Sequence, residues 1–140
     1  MKVLVCADLH IHGERPRCRI DNWTESHHKD LVNLVNAAKT ANVQSIWVLG
    51  DLFDKPRVST ESVNMVLEVF NTAKSMGIEI KVLCGNHDLP GHNFSEVHRS
   101  SIGTILHSFP MLESDPSIGL AAFPFGTEPD DIEGYMKNHG

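Results

Sequence analysis

The sequence lacks the features that would suit it to a membrane, to bulk binding of nucleic acid or to an oxidising compartment. No apolar run among its 140 residues approaches the roughly 20 that span a bilayer, and no signal-peptide pattern precedes the first strand-like run. The net charge of −6 excludes a generally basic nucleic-acid binder. Its cysteines, Cys6, Cys18 and Cys84, are odd in number and widely spaced, which favours free thiols and no zinc site. We therefore expect a cytoplasmic protein with no membrane partner.

The segments that are present predict a single α/β domain over residues 1–140. Three apolar runs suit parallel strands buried on both faces, and segments with apolar residues at helical spacing separate them. The strands are expected at 2–8, 43–50 and 78–84, with helices at 24–42 and 59–76. Short links between them imply right-handed crossovers.

The rest of the chain has a less regular pattern. It predicts a short helix over 100–109, a strand over 119–125 and a helix from residue 128 onwards. Thr24 is the expected N-cap of the first long helix.

Polar groups that can bind metal follow all three predicted strands. Asp8 and His10 follow the first strand, and Asp51 follows the second directly after Gly50. The third strand leads into the segment Gly85-Asn86-His87-Asp88. Because the carboxyl ends of parallel strands meet at one edge of a sheet, we expect these groups to converge there.

The chemistry of this set favours a pair of divalent metal ions. Carboxylate, imidazole and amide donors suit Mn²⁺, Fe²⁺ or Zn²⁺ better than they suit a thiolate site. Two ions about 3.5–4 Å apart stabilise the attacking and leaving oxygens of an in-line displacement. Asp51, on the middle motif, is the candidate bridge, and His87 could stabilise the reacting oxygens or protonate the leaving group.

Each motif has a structural explanation that competes with the functional one. Any one motif could be an ordinary strand that runs into a polar loop, and Asp54 could be a helix cap. For Asp88, a role in fixing its loop is favoured over metal binding. His12, His27 and His28 are expected to be solvated surface residues.

The three motifs together resemble the calcineurin-like metallophosphoesterase superfamily. Within it, "GDLFD" and "GNHD" look most like the SbcD-type DNA repair nucleases. The stretches "RPRCRIDNW" (15–23) and "GNHDLPGHNFSEVHRS" (85–100) look closest to phage-encoded members of that branch.

The resemblance implies a two-sheet sandwich flanked by helices (α-β-β-α), incomplete at the C-terminus. It implies two divalent metal ions, with Mn²⁺ the first choice and Fe²⁺, Zn²⁺ or Mg²⁺ as alternatives. By position, the metal ligands would be Asp8, His10, a bridging Asp51 and Asn86, and the catalytic residue would be His87. Asp54 and Asp88 would lie behind the ligands. The implied partners are DNA and an SMC-like ATPase, in the host cytoplasm if the protein is phage-encoded.

The sequence departs from the superfamily in one respect. Two downstream motifs, a histidine after a later strand and a Gly-His-x-His, are absent, although His139-Gly140 resembles a fragment of the first. We therefore expect this chain to represent the N-terminal part of the catalytic domain, with the remaining ligands supplied by a C-terminal segment or a second polypeptide.

The leading interpretation is a metal-dependent nuclease that acts on DNA as a repair or recombination exonuclease or endonuclease subunit. One alternative is a phosphatase or phosphodiesterase for small molecules or proteins, and another is a non-catalytic remnant or assembly subunit. Five cations after the first two strands could form a positive funnel at the metal pair, or could be solvated loop charges. They are Arg15, Arg17, Arg19, Lys55 and Arg57.

Overall fold

The fold is built on three parallel strands joined by two long helices. A computed structural model describes residues 1–15 and 17–139 of the chain. The strands β1 (Val3–Cys6), β2 (Ser45–Leu49) and β3 (Glu79–Leu83) lie in the order β1-β2-β3. The helices α1 (Trp23–Thr40) and α2 (Thr60–Ser75) connect them. The predicted β-α-β-α-β arrangement is therefore confirmed, and its parallel pairing puts the carboxyl ends of all three strands at one edge.

Both long helices cover the same face of this sheet. The chain steps across the sheet in one direction, so right-handed crossovers bring α1 and α2 to one side, where they pack against each other. The row Leu4, Ile46 and Ile80 points into the resulting core. On the opposite face Val5 is 51% exposed and Leu49 is 40% exposed. The expectation of strands buried on both faces is thus wrong for the part of the chain that the structure describes.

The helix ends follow local capping chemistry. Asn22, rather than the predicted Thr24, caps α1, and its side chain accepts a hydrogen bond from the backbone N–H of Glu25. Asparagine outranks threonine as an N-cap because its carbonyl reaches the free N–H groups of the first turn. Ser59 caps α2 in the same way, through the N–H of Ser62.

The C-terminal part lies along the β3 edge of the sheet. Val82 exchanges backbone hydrogen bonds with Pro110 and Leu112, so residues 110–112 extend the sheet by a short fourth segment. The predicted short helix forms as α3 (Ser101–Leu106), and the last helix is α4 (Pro129–His139). Gly140 lies outside the described residues. None of the described helices combines the length and the apolar character needed to cross a membrane.

The strand predicted over 119–125 does not form. Only one antiparallel bridge is made in this segment, between Asp115 and Leu120, around a 3-10 turn. Gly119 adopts a left-handed conformation, and Pro124 has no N–H to donate to a ladder. The described residues consequently form one sheet, and they do not form the second sheet of the implied sandwich.

Candidate metal centre

The loops that follow β1 and β2 are hydrogen-bonded side by side at the carboxyl edge of the sheet. The backbone N–H of Asp8 donates to the carbonyl of Gly50 at 3.2 Å, and that of His10 donates to the carbonyl of Asp51 at 3.0 Å. A further bond joins Ile11 N–H to the Leu52 carbonyl. The first two motifs are thereby held in a defined register, as the convergence of parallel strands requires.

The residues at this edge have an unusual backbone conformation. Asp8, His10 and Asp51 have φ angles of 54°, 45° and 50°, in the left-handed region that non-glycine residues rarely occupy. Such conformations cost about 1–3 kcal/mol each and persist only where the surrounding structure enforces them. Here the enforcement comes from the paired loops and from Phe53, which is fully buried just beyond Asp51.

Asp51 connects all three motifs. Its side chain is only 12% exposed, and its Oδ1 accepts the backbone N–H of His87 at 3.0 Å. Its Oδ2 lies 4.0 Å from Nε2 of His10. The middle carboxylate therefore contacts the third loop with one oxygen and faces the first loop with the other, which is the arrangement that a bridging ligand needs.

The ligand atoms have a spacing that suits a shared cation. Nε2 of His10 is 3.8 Å from Oδ1 of Asp8, too far for a hydrogen bond. Ligands that share an ion through bonds of about 2.0–2.2 Å stand at such separations. One ligand atom each from His10, Asp51 and His87 also lie within 4.8 Å of one another. These donors fit a divalent metal, and the grouping brings His87 itself within reach of it.

The other ring nitrogen of His10 faces a carboxylate. Nδ1 of His10 lies 3.3 Å from Oδ1 of Asp54, but the geometry does not make a hydrogen bond, so this buried nitrogen has no hydrogen-bond partner among the residues that the structure describes. A carboxylate behind a metal-binding histidine sets its tautomer and raises its basicity. The position of Asp54 agrees with the supporting role expected of it.

His87 is held by its backbone and by one ring nitrogen. Nδ1 lies 2.9 Å from the carbonyl oxygen of Asp54, and because a carbonyl only accepts, Nδ1 carries the proton and leaves Nε2 free. The ring meets that of His10 edge-on, with centroids 4.9 Å apart. The hydrogen bond to Asp54 raises the pKa of His87, and the nearby carboxylates of Asp51, Asp54 and Asp88 add to that effect.

Asp88 ties the third loop to the second. It is fully buried, its Oδ1 accepts the N–H of Phe53 and its Oδ2 that of Gly85, both at 2.9 Å. Burial raises the pKa of this carboxyl group despite these donors. The contacts agree with the loop-fixing role that the sequence favoured.

Asn86 is half-buried between Gly85 and His87. Its carbonyl oxygen lies 2.9 Å from Nδ1 of His92. The Asn86 loop is thus tied by one hydrogen bond to His92, whose alternative role would be to reach the second metal. Only the repeated histidines of this loop could have drawn attention to it.

The five predicted substrate cations differ in their surroundings. Arg19 pairs with Asp21 through two hydrogen bonds and lies over the Trp23 ring. Lys55 pairs with Glu14 at 2.5 Å. Each of these two cations therefore has one acidic partner. The other three are exposed and lie at Arg15, Arg17 and Arg57.

Two histidines expected to be solvated are instead packed. His12 and His27 are half-buried against Trp23, with ring centroids 5.5 Å and 4.4 Å from it. Burial lowers the pKa of His27. The prediction was wrong for these two because Trp23, at the start of α1, offers an aromatic surface that local polarity does not reveal. It was right for His28, which is exposed.

Comparison with known proteins agrees with this geometry. The Calcineurin-like phosphoesterase family matches residues 1–134. The chain is also similar to the DNA double-strand break repair protein Mre11 of Aeropyrum pernix, with 29% identity over 89 residues. That alignment covers 64% of this chain and 21% of the relative, so the chain spans about a fifth of the relative's length. The α/β fold expected from the motifs is confirmed, and the chain belongs to the calcineurin-like phosphoesterase family.

Proposed function

We propose that this chain is a metal-dependent phosphodiesterase that acts on DNA, of the SbcD type and from the phage-encoded part of that branch. The observation that carries the proposal is the convergence of the Asp51 carboxylate with the rings of His10 and His87 at the carboxyl edge of the sheet. The similarity to a DNA repair protein supports DNA as the substrate.

The donors at this edge divide into two groups around Asp51. Asp8 and His10 would hold one ion with Asp51, and Asn86 would hold a second with the same carboxylate. Bound divalent ions would supply charge stabilisation for both oxygens of an in-line displacement at phosphorus. Mixed oxygen and nitrogen donors without thiolate suit Mn²⁺ best in our proposal, with Fe²⁺, Zn²⁺ and Mg²⁺ as alternatives.

His87 supplies the proton chemistry of the proposed site. With Nδ1 fixed on the Asp54 carbonyl, Nε2 is the atom that can carry a second proton. When Nε2 carries a proton, it can donate to a phosphoryl oxygen or to the departing oxygen.

A phosphatase for small molecules or proteins is the alternative enzyme, because monoesters and diesters can use the same metal-ligand core. A non-catalytic assembly role is the other alternative, and it gains weight because the second ion would have only Asp51 and Asn86 as ligands. Our proposal includes a C-terminal segment or chain that completes this ligand set, an SMC-like ATPase as partner and the host cytoplasm as location.

The test compares two substrates with and without the central carboxylate. Turnover of bis-p-nitrophenyl phosphate and of a DNA oligonucleotide is measured with Mn²⁺ for the wild type, for Asp51→Asn and for Asp130→Asn, which alters an exposed acid of α4. Asp51-dependent cleavage of the oligonucleotide supports the nuclease. Cleavage of p-nitrophenyl phosphate, a monoester, but not of DNA supports the phosphatase. Absence of turnover even after the completing C-terminal segment is supplied supports the assembly role.

A further inference from the structure

A small cationic cavity opens beside the proposed metal centre. It has a volume of about 490 Å³ and is lined by Lys55, Pro56, Arg57, Pro90 and Arg99. Three of the five lining residues are cations and none is acidic. The cavity lies between two loops, one following β2 and the other following β3, which also carry the metal-centre residues.

Residues that line the cavity are close in sequence to the catalytic histidine and to its hydrogen-bond partner. Asp54 contacts Nδ1 of His87 with its carbonyl oxygen, and Lys55 is the next residue after Asp54. Pro90 follows His87 by three residues. The two loops that line the cavity are therefore the ones that hold His87 and Asp54.

The cationic wall is held in place by several hydrogen bonds. Nε of Arg57 donates to the carbonyl of Arg99 at 3.0 Å. The backbone N–H of Ser101 donates to the carbonyl of Pro56 at 2.7 Å, and its hydroxyl accepts the N–H of Val58 at 3.0 Å. With two prolines in the wall, the cations are positioned before any ligand arrives, which reduces the ordering cost of binding.

The charges of the wall are only partly compensated. Lys55 pairs with Glu14, whose pKa this contact lowers, and Arg99 pairs with Glu96. Within residues 1–15 and 17–139, Arg57 has no acidic partner, and its only recorded polar contact is the one to the Arg99 carbonyl. The Nη atoms of its guanidinium are left to bind an anion, and guanidinium groups match phosphate oxygens in bidentate geometry.

We infer that Lys55, Arg57 and Arg99 form a subsite for a second phosphate of a nucleic-acid strand, next to the phosphate held at His87. The inference rests on the proposed function, since it assumes that a phosphodiester occupies the metal centre. A polynucleotide carries phosphates at regular intervals and fills both positions. A small ester with one phosphate fills only the first, so the subsite favours polymeric substrates.

The test measures binding of a labelled single-stranded oligonucleotide by fluorescence anisotropy across a range of salt concentrations. Arg57→Gln and Arg99→Gln are each expected to weaken binding about tenfold, as loss of a charged hydrogen bond does. Each should also lower the slope of log K against log salt by about 0.7. Arg57→Lys should restore the salt slope. Turnover of bis-p-nitrophenyl phosphate, which has one phosphate, should fall by a smaller factor than oligonucleotide binding in both glutamine variants.

The control is Lys39→Gln, which removes an exposed cation in the last turn of α1. Thermal unfolding of each variant identifies any that has lost its fold. Wild-type binding that is absent, or that is affected equally by Arg57→Gln and Lys39→Gln, would overturn the subsite. Arg57-dependent binding without any Asp51-dependent turnover would instead support the subsite and reject the proposed catalysis.

Discussion

Gly85 lies so close to Asp51 that a β-carbon added to Gly85 would stand 2.1 Å from the Oδ1 atom of Asp51. No real side chain tolerates such a separation. The absence of a side chain at residue 85 is therefore what allows the central carboxylate to reach the backbone of His87.

The first prediction follows from this packing. Gly85→Ala should displace the Asp51 carboxylate, and we expect Mn²⁺-dependent turnover and metal affinity both to fall to the level of Asp51→Asn. Isothermal titration with Mn²⁺ measures the affinity. The control is Gly134→Ala in α4, where a β-carbon meets nothing within 4 Å. That change should stabilise the helix by about 1 kcal/mol and leave metal binding intact.

A second prediction concerns Asp54 behind His10. Asp54→Asn removes the charge that faces Nδ1 of His10 but keeps the backbone carbonyl that holds His87. Loss of such a supporting carboxylate typically lowers metal affinity about 10- to 100-fold, and we expect a loss in that range by Mn²⁺ titration. Unchanged affinity, matching that of Asp130→Asn, would show that Asp54 does not orient the ligand.

A third prediction concerns the buried carboxylate of Asp88. Asp88→Asn replaces one acceptor oxygen with an NH₂ group, which would then face a backbone N–H of Phe53 or Gly85. Leaving a buried donor unpaired costs about 1–3 kcal/mol, and we expect a loss of that size in the free energy of unfolding measured with urea. A variant as stable as the wild type would mean that the two loops do not depend on this contact.

A fourth prediction uses the lowered pKa of His27. The unfolded chain takes up a proton at this histidine near its ordinary pKa of about 6.5, whereas the folded chain resists protonation to lower pH. The unfolded state therefore binds more protons in that window, and stability falls as pH drops below about 6.5. His27→Gln should show a smaller fall between pH 7 and pH 5 in urea titrations. The exposed neighbour His28→Gln is the control and should follow the wild type.

The parts of this molecule that the sequence predicted depend on local pattern and on the geometry of parallel sheets. Apolar runs and helical spacing located the three strands and two helices, and parallel pairing then required Asp8, His10 and Asp51 to meet. Contacts between distant segments were not predictable in the same way. The packing of His12 on Trp23 and the position of Arg99 beside Arg57 arise only when separate segments of the chain fold onto each other.

The failed strand and the exposed face of the sheet have separate explanations. Residues 119–125 are apolar enough for a strand, but Gly119 and Pro124 break the ladder locally. The apolar character of Val5 and Leu49 indicated burial, yet the direction in which the chain crosses the sheet brings both helices to the other side.

The left-handed backbone at Asp8 and His10 sets stability against activity at the same two positions. Glycine adopts this conformation without steric penalty, so a selection for thermal tolerance alone would favour glycine at both, whereas Asp51 also accepts the N–H of His87. Each of those replacements would remove a proposed metal ligand. Directed evolution of a more thermostable form of this chain would therefore have to screen for turnover in every round, because substitutions that raise the melting temperature at these positions would also remove a proposed metal ligand.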